Sequence, residues 1–339
     1  MDFDLDEPQR ELRTLAAGLL DKEADPEAHE KTGEPYDARL WATMARAGLT
    51  GACLPEESGG AGLGPVEMAV LLREVGAHVA PVPLLPALVT GLTVARHGSA
   101  AQQARLAPVA EGAVPCTYGV GGRVAVANGR LTGRVTGVPY AAQAAGVLVA
   151  VDDDVYVVHP EAMDVQETPT ATGEPAGVVT LDDAPGELIA GAARELGLLV
   201  RAAITATASG VLAQALKITT GHVRTRRQFD RALAEFQAVT MQVADVYIAA
   251  RALDVAVWSG VFRLAAGLDA DRDLAVAGLH TADSALRALY TCQHLHGGLG
   301  LDVTYPLHRY FAWGKHAAHA LGGAEAQLDL IGDLECSSN

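Results

Sequence analysis

Apolar residues recur in the C-terminal half of this chain at Phe236, Val239, Val243, Val246, Ala250, Leu253 and Val257, in alternating steps of three and four. A stripe of that period is the seam of a long helix packed at a shallow angle in an antiparallel bundle. Two more long helices are expected over Leu196–Arg224 and Asp271–His294, the latter stopped by Gly297-Gly298. The N-terminal end carries the same texture in shorter pieces. Glu7–Leu20 places Leu12, Leu15, Leu19 and Leu20 near one face, with Pro8 tolerable in the first turn. Asp37–Gly48, Pro65–Gly76 and Ser99–Glu111 read as further helices, and Gly48 suits a C-cap. A run of breakers, Leu54-Pro55-Glu56-Glu57-Ser58-Gly59-Gly60-Ala61-Gly62, separates two of them.

Between Ala113 and Pro185 the texture changes to short β-branched runs divided by turn signals. Arg123–Ala127 is followed by Asn128-Gly129, Gly146–Val151 by Asp152-Asp153-Asp154, and then come Val155–Val158 and Gly177–Leu181. Asn-Gly between apolar runs is the strongest short-range hairpin signal. The pattern predicts a mostly α chain with a small β unit. Its parts are an N-terminal helical domain over 1–112, a β domain over 113–186 and a C-terminal antiparallel helix bundle over 187–339.

Composition narrows the functional classes. Half of the 339 residues are apolar and only 5% aromatic, the make-up of closely packed helices. A formal charge of −16 argues against nucleic acid and anionic membrane as partners. Cys53, Cys116, Cys292 and Cys336 are scattered without a CxxC pair and read as free thiols of a reducing cytoplasm. The acidic N-terminus is no signal peptide. The densest apolar stretch, Val75 to Val94, carries His78 and three prolines, so no membrane span is expected and the location reads as cytoplasmic. His296, His308, His316 and His319 lack carboxylate partners at ligand spacing, so no metal site is expected.

Three stretches carry chemistry. The first runs from Leu40-Trp41 through Leu49 to Leu54-Pro55-Glu56-Glu57-Ser58-Gly59-Gly60-Ala61-Gly62-Leu63-Gly64. The second is Arg226-Arg227-Gln228-Phe229-Asp230-Arg231-Ala232-Leu233-Ala234-Glu235-Phe236-Gln237-Ala238-Val239, and the third is His294-Leu295-His296-Gly297-Gly298-Leu299-Gly300. They resemble, in order, the P-E-E-x-G-G-x-G, R-x-Q-F-G-x-P-L-x-x-F-Q-x-V and Q-x-H-G-G-x-G segments of the acyl-CoA dehydrogenase family. Together the three segments extend the resemblance over nearly the whole chain. It implies an FAD shared across a subunit interface, one chain holding the flavin ring and its neighbour the diphosphate and adenosine. In that scheme Arg226 supplies a forked donor to the diphosphate, Gln228 a hydrogen bond and Phe229 an apolar wall. Gly297 and Gly298 admit backbone amides close to the cofactor. Gln237 fits either a cofactor contact or a packing or capping role. Either Gln293 or His294 can take the place of the motif's glutamine.

The resemblance also shows what is missing. Dehydrogenation removes a proton from Cα and a hydride from Cβ, so it needs a carboxylate base beside a flavin held face-on. The family's glutamate before Gly-Thr corresponds here to Gly322, and an alternative site on the first bundle helix corresponds to Val200. No catalytic residue is therefore assigned; Glu325 reads as a solvated helix residue. The flavin-cradling T-E-x-x-A-G-S-D stretch is replaced by Cys116-Thr117-Tyr118-Gly119-Val120-Gly121-Gly122, and Trp-Ile-Thr by Gly137-Val138-Pro139. The β domain is short for the family and so reads as reduced. This division resembles the short, degenerate subunit of the heteromeric α2β2 dehydrogenases of actinobacterial steroid side-chain breakdown. It implies a catalytically complete partner subunit that binds most of the acyl-CoA, with electron-transfer flavoprotein as a candidate acceptor. Two other readings stay open: a self-sufficient dehydrogenase with a relocated base, and a structural partner that binds no cofactor.

Overall fold

The computed structural model describes residues 3–337. Before the β region run α1 (Glu7–Glu23), α2 (Pro26–Glu30), α3 (Ala38–Arg46), α4 (Pro65–His78), α5 (Leu84–His97), α6 (Ala100–Ala104) and α7 (Ala107–Ala110). The strands are β1 (Thr117–Gly119), β2 (Gly122–Ala127), β3 (Arg130–Pro139), β4 (Val147–Val151), β5 (Asp154–Val158), β6 (Asp164–Thr168), β7 (Ala176–Pro185) and β8 (Glu187–Ile189). After them come α8 (Ala193–Thr225), a minimal hairpin of β9 (Arg227–Gln228) and β10 (Arg231–Ala232), and α9 (Gln237–Ala265). The chain ends with α10 (Asp271–His280), α11 (Leu286–His296), α12 (Leu307–Ala320) and α13 (Gly323–Ser337). Two compact units result, one of residues 1–20, 72–79 and 204–339, the other of 21–71 and 80–203.

In the unit of 21–71 and 80–203, the strands form two four-stranded sheets, ordered β1-β4-β5-β8 and β2-β3-β7-β6. Alternation builds the core between them: Leu131, Val135, Val138, Val147, Val149, Val179 and Leu181 are almost wholly buried. Asn128 and Gly129 both have positive φ, 53° and 74°, the twist-matched turn that an Asn-Gly hairpin requires. The short strands β1, β6 and β8 escaped the sequence reading, because three to five residues of mixed polarity give no period. Helix α5 escaped it for the opposite reason. Every residue from Pro86 to Val94 is buried, and none of them is charged, so no polar face marks it. Pro86 lies within its first turn, where the missing N–H leaves no helical bond unmade. The helix expected over Ser99–Glu111 is two short helices. A Ser99–Gln102 capping box starts the first, and Pro108 opens the second.

In the other unit the seam of α9 runs as its period demands. Val246, Leu253 and Val257 are buried, and Phe236, Val239, Val243 and Ala250 half-buried. The end of α4 meets α8 through two glycines. A Cβ at Gly76 would lie 2.0 Å from Thr207 O, and one at Gly210 1.8 Å from Arg73 O. Beside this crossing the Arg73 guanidinium donates to Ser209 Oγ at 3.1 Å and lies 3.3 Å from the Asp254 carboxylate. Two expectations need correction here. Leu15 of α1 is 49% exposed, since the buried ridge runs through Ala16 and Leu20, four residues apart. The helix expected over Asp271–His294 is interrupted by a π-turn at Thr281–Ala285, where the Thr281 hydroxyl donates to Ala277 O. Helix α8 is long and apolar enough to cross a membrane by length and composition. Its most apolar window is 83% buried, which makes it a core helix.

Candidate functional site

The site builds outward from the last turn of α8. Arg226 follows it directly, its N–H donating to His222 O at 2.8 Å and its carbonyl accepting from Leu233 N at 2.9 Å. These bonds close a loop around the β9–β10 hairpin, in which Gln228 pairs with Arg231 and Arg227 with Ala232. The two turn residues, Phe229 and Asp230, both have positive φ, 51° and 63°. A bulky non-glycine residue in that region is strained, and Phe229 is also 86% exposed. Its ring meets only Phe236 edge-on at 6.4 Å, and Arg231 covers the other face of Phe236 at 3.9 Å.

The two neighbouring arginines differ in their engagement. Arg227 donates to Asp230 O and so holds the turn. The Arg226 guanidinium is exposed and has no hydrogen bond or ion pair among the described residues. Gln228 is exposed on the hairpin, and Gln237 is exposed at the first position of α9.

The second motif lies at the end of α11, and an imidazole stack joins it to the first. His222, one turn before Arg226, stacks on His296 with ring centroids 4.2 Å apart. His296 Nδ1 lies 2.8 Å from Cys292 O and must donate to it. Its Nε2 is then a lone pair, which accepts from the Tyr305 hydroxyl at 3.3 Å. Burial holds the pKa of both imidazoles below the ordinary histidine value. For His222 the adjacent His296 and Arg226 add to that effect. The pair is thus neutral, and Arg226 supplies the positive charge.

Past His296 the chain turns at Gly297, with φ 62° and ψ −138°, a conformation essentially restricted to glycine. Gly297 and Gly298 are exposed, and a Cβ on either would meet nothing within 4 Å. Gln293 is half-buried and spends its amide on Gly300 O at 3.3 Å, whereas His294 is exposed beside it. The stack therefore sets the end of α8, with Arg226 just after it, beside the end of α11 and its Gly297-Gly298 turn; His294, two positions before His296, lies on another side of α11. Gln237 stays across the hairpin, without a side-chain bond to the others. Sequence reasoning missed His222 and Tyr305; their signal, an aromatic one turn before the motif arginine and another after the Gly-Gly turn, is legible only once the helix ends meet.

Elsewhere the stretches that replace the family's flavin-cradling segments are packed into structure. The Thr117 hydroxyl donates to Pro139 O at 2.6 Å, and Tyr118 is buried. A Cβ at Gly119 would meet Val135 Cγ1 at 2.4 Å. Val200 is buried, Gly322 turns at φ 82° and Glu325 is exposed. Among the described residues no three His, Cys, Asp or Glu side chains converge as a metal site.

The class of protein follows from comparison. Residues 6–113 match the acyl-CoA dehydrogenase N-terminal domain and residues 195–334 the acyl-CoA dehydrogenase C-terminal domain. The chain belongs to the acyl-CoA dehydrogenase family. It is 37% identical to acyl-CoA dehydrogenase FadE28 of Mycobacterium tuberculosis, over 99% of each chain. Among solved structures it is similar to a chain of the Tcur3481-Tcur3483 steroid ACAD, with a TM-score of 0.93 and 36% identity over 98% of each chain. The ChsE4-ChsE5 complex from Mycobacterium tuberculosis gives 0.91 and 32%, again over 98% of each.

Proposed function

We propose that this chain is the half-site subunit of a heteromeric, FAD-dependent acyl-CoA dehydrogenase. It holds the diphosphate and adenosine end of FAD while a complete partner subunit supplies the flavin-ring site and the catalytic base. The observation that carries this reading is the exposed Arg226 guanidinium, without a partner among the described residues, on the end of α8 whose His222 stacks on His296 just before Gly297-Gly298, in a chain with no carboxylate at 322 or 200. The residues fit the group: a diphosphate calls for a forked cation and open backbone, and both occur at the joined ends of α8 and α11. Arg226 and His294 would hold the phosphates, Gln228 and Phe229 the rim, and Gly297-Gly298 the closest approach. Gln237 is assigned to the far side of the hairpin and Gln293 to support of the loop. Bound FAD supplies the hydride acceptor for oxidation at Cβ of the acyl chain.

Two further features support a heteromer. Helix α9 bears a second apolar stripe, Met241, Ile248 and Val255, exposed at 61%, 62% and 50% on heptad spacing. Two solved structures similar to it over 98% of each chain pair two differently named chains, one of them called a steroid ACAD. By that likeness the substrate is a CoA thioester with a steroid-derived acyl group, and electron-transfer flavoprotein is the acceptor to try first.

The test is co-expression with a complete dehydrogenase subunit and measurement of flavin retained per complex after desalting. A charge-assisted pair of this kind contributes roughly 1.5–3 kcal/mol, so Arg226→Ala should weaken FAD by about ten- to a hundred-fold. Arg226→Lys should recover only part of that, and Arg227→Ala should leave it unchanged. Flavin lost from Arg227→Ala alone would move the register by one residue. Flavin kept by both variants would end the half-site reading in favour of a structural partner. A flavin-loaded chain that turns over an acyl-CoA without a partner would replace it with the self-sufficient enzyme.

A further inference from the structure

The outer face of the sheet β2-β3-β7-β6 carries an arrangement that the dehydrogenase reading does not use. Arg123 on edge strand β2 stands directly opposite Arg134 on β3, and Arg134 in turn stands opposite Thr180 on β7. Both arginines are exposed, while their neighbours Val124 and Val135 pack inward. Directly opposed like charges destabilise a sheet unless something neutralises them. Neither Arg123 nor Arg134 has a hydrogen bond or ion pair among the described residues. Arg130, on the same face of β3, shows the contrast: Asp183 lies 2.6 Å from its Nε.

The hairpin fixes the pair. Gly122 and Gly133 adopt φ of 140° and 148°. A Cβ at Gly122 would lie 2.2 Å from Arg134 O, and one at Gly133 2.1 Å from Arg123 O. The two backbones thus clasp at the residues beside each arginine, and the Asn128-Gly129 turn locks the register. The arginines stand on a shallow, open face that Thr136, Thr180 and Asp182 also line. Thr136 and Thr180 have no hydroxyl bonds among the described residues, so both can donate. Asp182 is exposed at the margin and pairs with neither arginine.

We propose that this face binds a phosphate monoester carried by a nucleotide-sized small molecule. Two forked guanidiniums and two hydroxyls form a donor set matched to a tetrahedral dianion, and the open face leaves room for the rest of a small molecule to lie across it. The inference is independent of the flavin half-site. The alternative is an edge strand guarded against aggregation by its charges, which would bind no particular ligand.

Titration calorimetry of the full chain, co-expressed with its partner subunit, against adenosine 3′,5′-bisphosphate tests it. Saturable binding below about 1 mM is expected, with Arg123→Gln and Arg134→Gln each weakening it about tenfold or more. Arg130→Gln removes the same charge from the same face and should change it less than about twofold. Equal weakening by all three variants would reduce the site to a diffuse field and overturn it. So would the absence of saturable binding by the wild type. Binding of adenosine alone would overturn recognition through phosphate, and inorganic phosphate binding as tightly as the bisphosphate would overturn the nucleotide-sized ligand. Matching thermal melts confirm that the exposed substitutions leave the fold intact.

Discussion

Gly210 and Gly221 lie on the same helix, yet adding one methyl group should push stability in opposite directions. At Gly210 the new Cβ would sit 1.8 Å from Arg73 O, an overlap that only a backbone shift can relieve. Gly210→Ala should therefore cost about 1–3 kcal/mol or more. At Gly221 the Cβ meets nothing within 4 Å and the residue is exposed, so Gly221→Ala should stabilise by about 0.5–1 kcal/mol. Denaturant titration of the pair checks both signs, and a neutral Gly210→Ala would mean the crossing is looser than described. Glu174 gives a second residue-scale test. Its carboxyl accepts from the buried Tyr140 hydroxyl at 2.6 Å, and burial pushes its pKa up to about 7 in spite of that bond. The folded state thus favours the neutral acid. This contribution is complete below the ordinary carboxylate pKa and is lost as pH rises through about 7. Glu174→Gln should match wild type near pH 5 and exceed it near pH 8, by chemical denaturation across that range. A wild type whose stability holds level from pH 5 to 8 would refute the enclosed acid.

Among the elements, α9 was the most legible in sequence, because a stripe of steps three and four over 22 residues, 236 to 257, leaves no other reading. Its partner surface was less legible. The stripe Met241, Ile248, Val255 repeats every seven residues on another face, and a helix apolar on two faces is covered on two sides. Ile248→Glu should leave helical content unchanged, since the side chain is 62% exposed in the chain alone. It should weaken association with the partner subunit by about tenfold or more, read by sedimentation or light scattering. Unchanged association would free this face from the interface. The β9–β10 hairpin presented the reverse case. Its motif residues were legible, but the strained turn at Phe229 and Asp230 was not, because Phe, unlike Asp, does not signal positive φ.

At the scale of the whole molecule, the flavin experiment with Arg226 decides whether this chain completes a site that its partner begins. The stretch from Thr117 to Gly119 is packed within the β unit, its Thr117 hydroxyl bonded to Pro139 O, and a glycine in positive φ stands at 322 in the helical part. On the half-site reading, the exposed Arg226 and the second stripe of α9 would both be covered by the partner subunit. Fold and family were recoverable because three spaced motifs and a change of period survive in one dimension. The proposed half-site rests in the sequence only on an absence of carboxylates, which needs the family pattern to be noticed at all.

By itself the sequence determined the order of helical and β segments, the Asn128-Gly129 hairpin, the α9 seam and the residues that answer the dehydrogenase motifs. Each of these is local: a period, a turn residue or a run of consecutive positions. Tertiary structure decided what depends on distant partners. It buried α5, broke the helices expected over Ser99–Glu111 and Asp271–His294, and turned Leu15 outward. It set His222 against His296 across 74 positions of chain, and it left Arg226 free while tying Arg227 to Asp230. Two adjacent arginines are indistinguishable as letters; only the backbone between them decides which is spent on the fold and which is left exposed without a partner among the described residues.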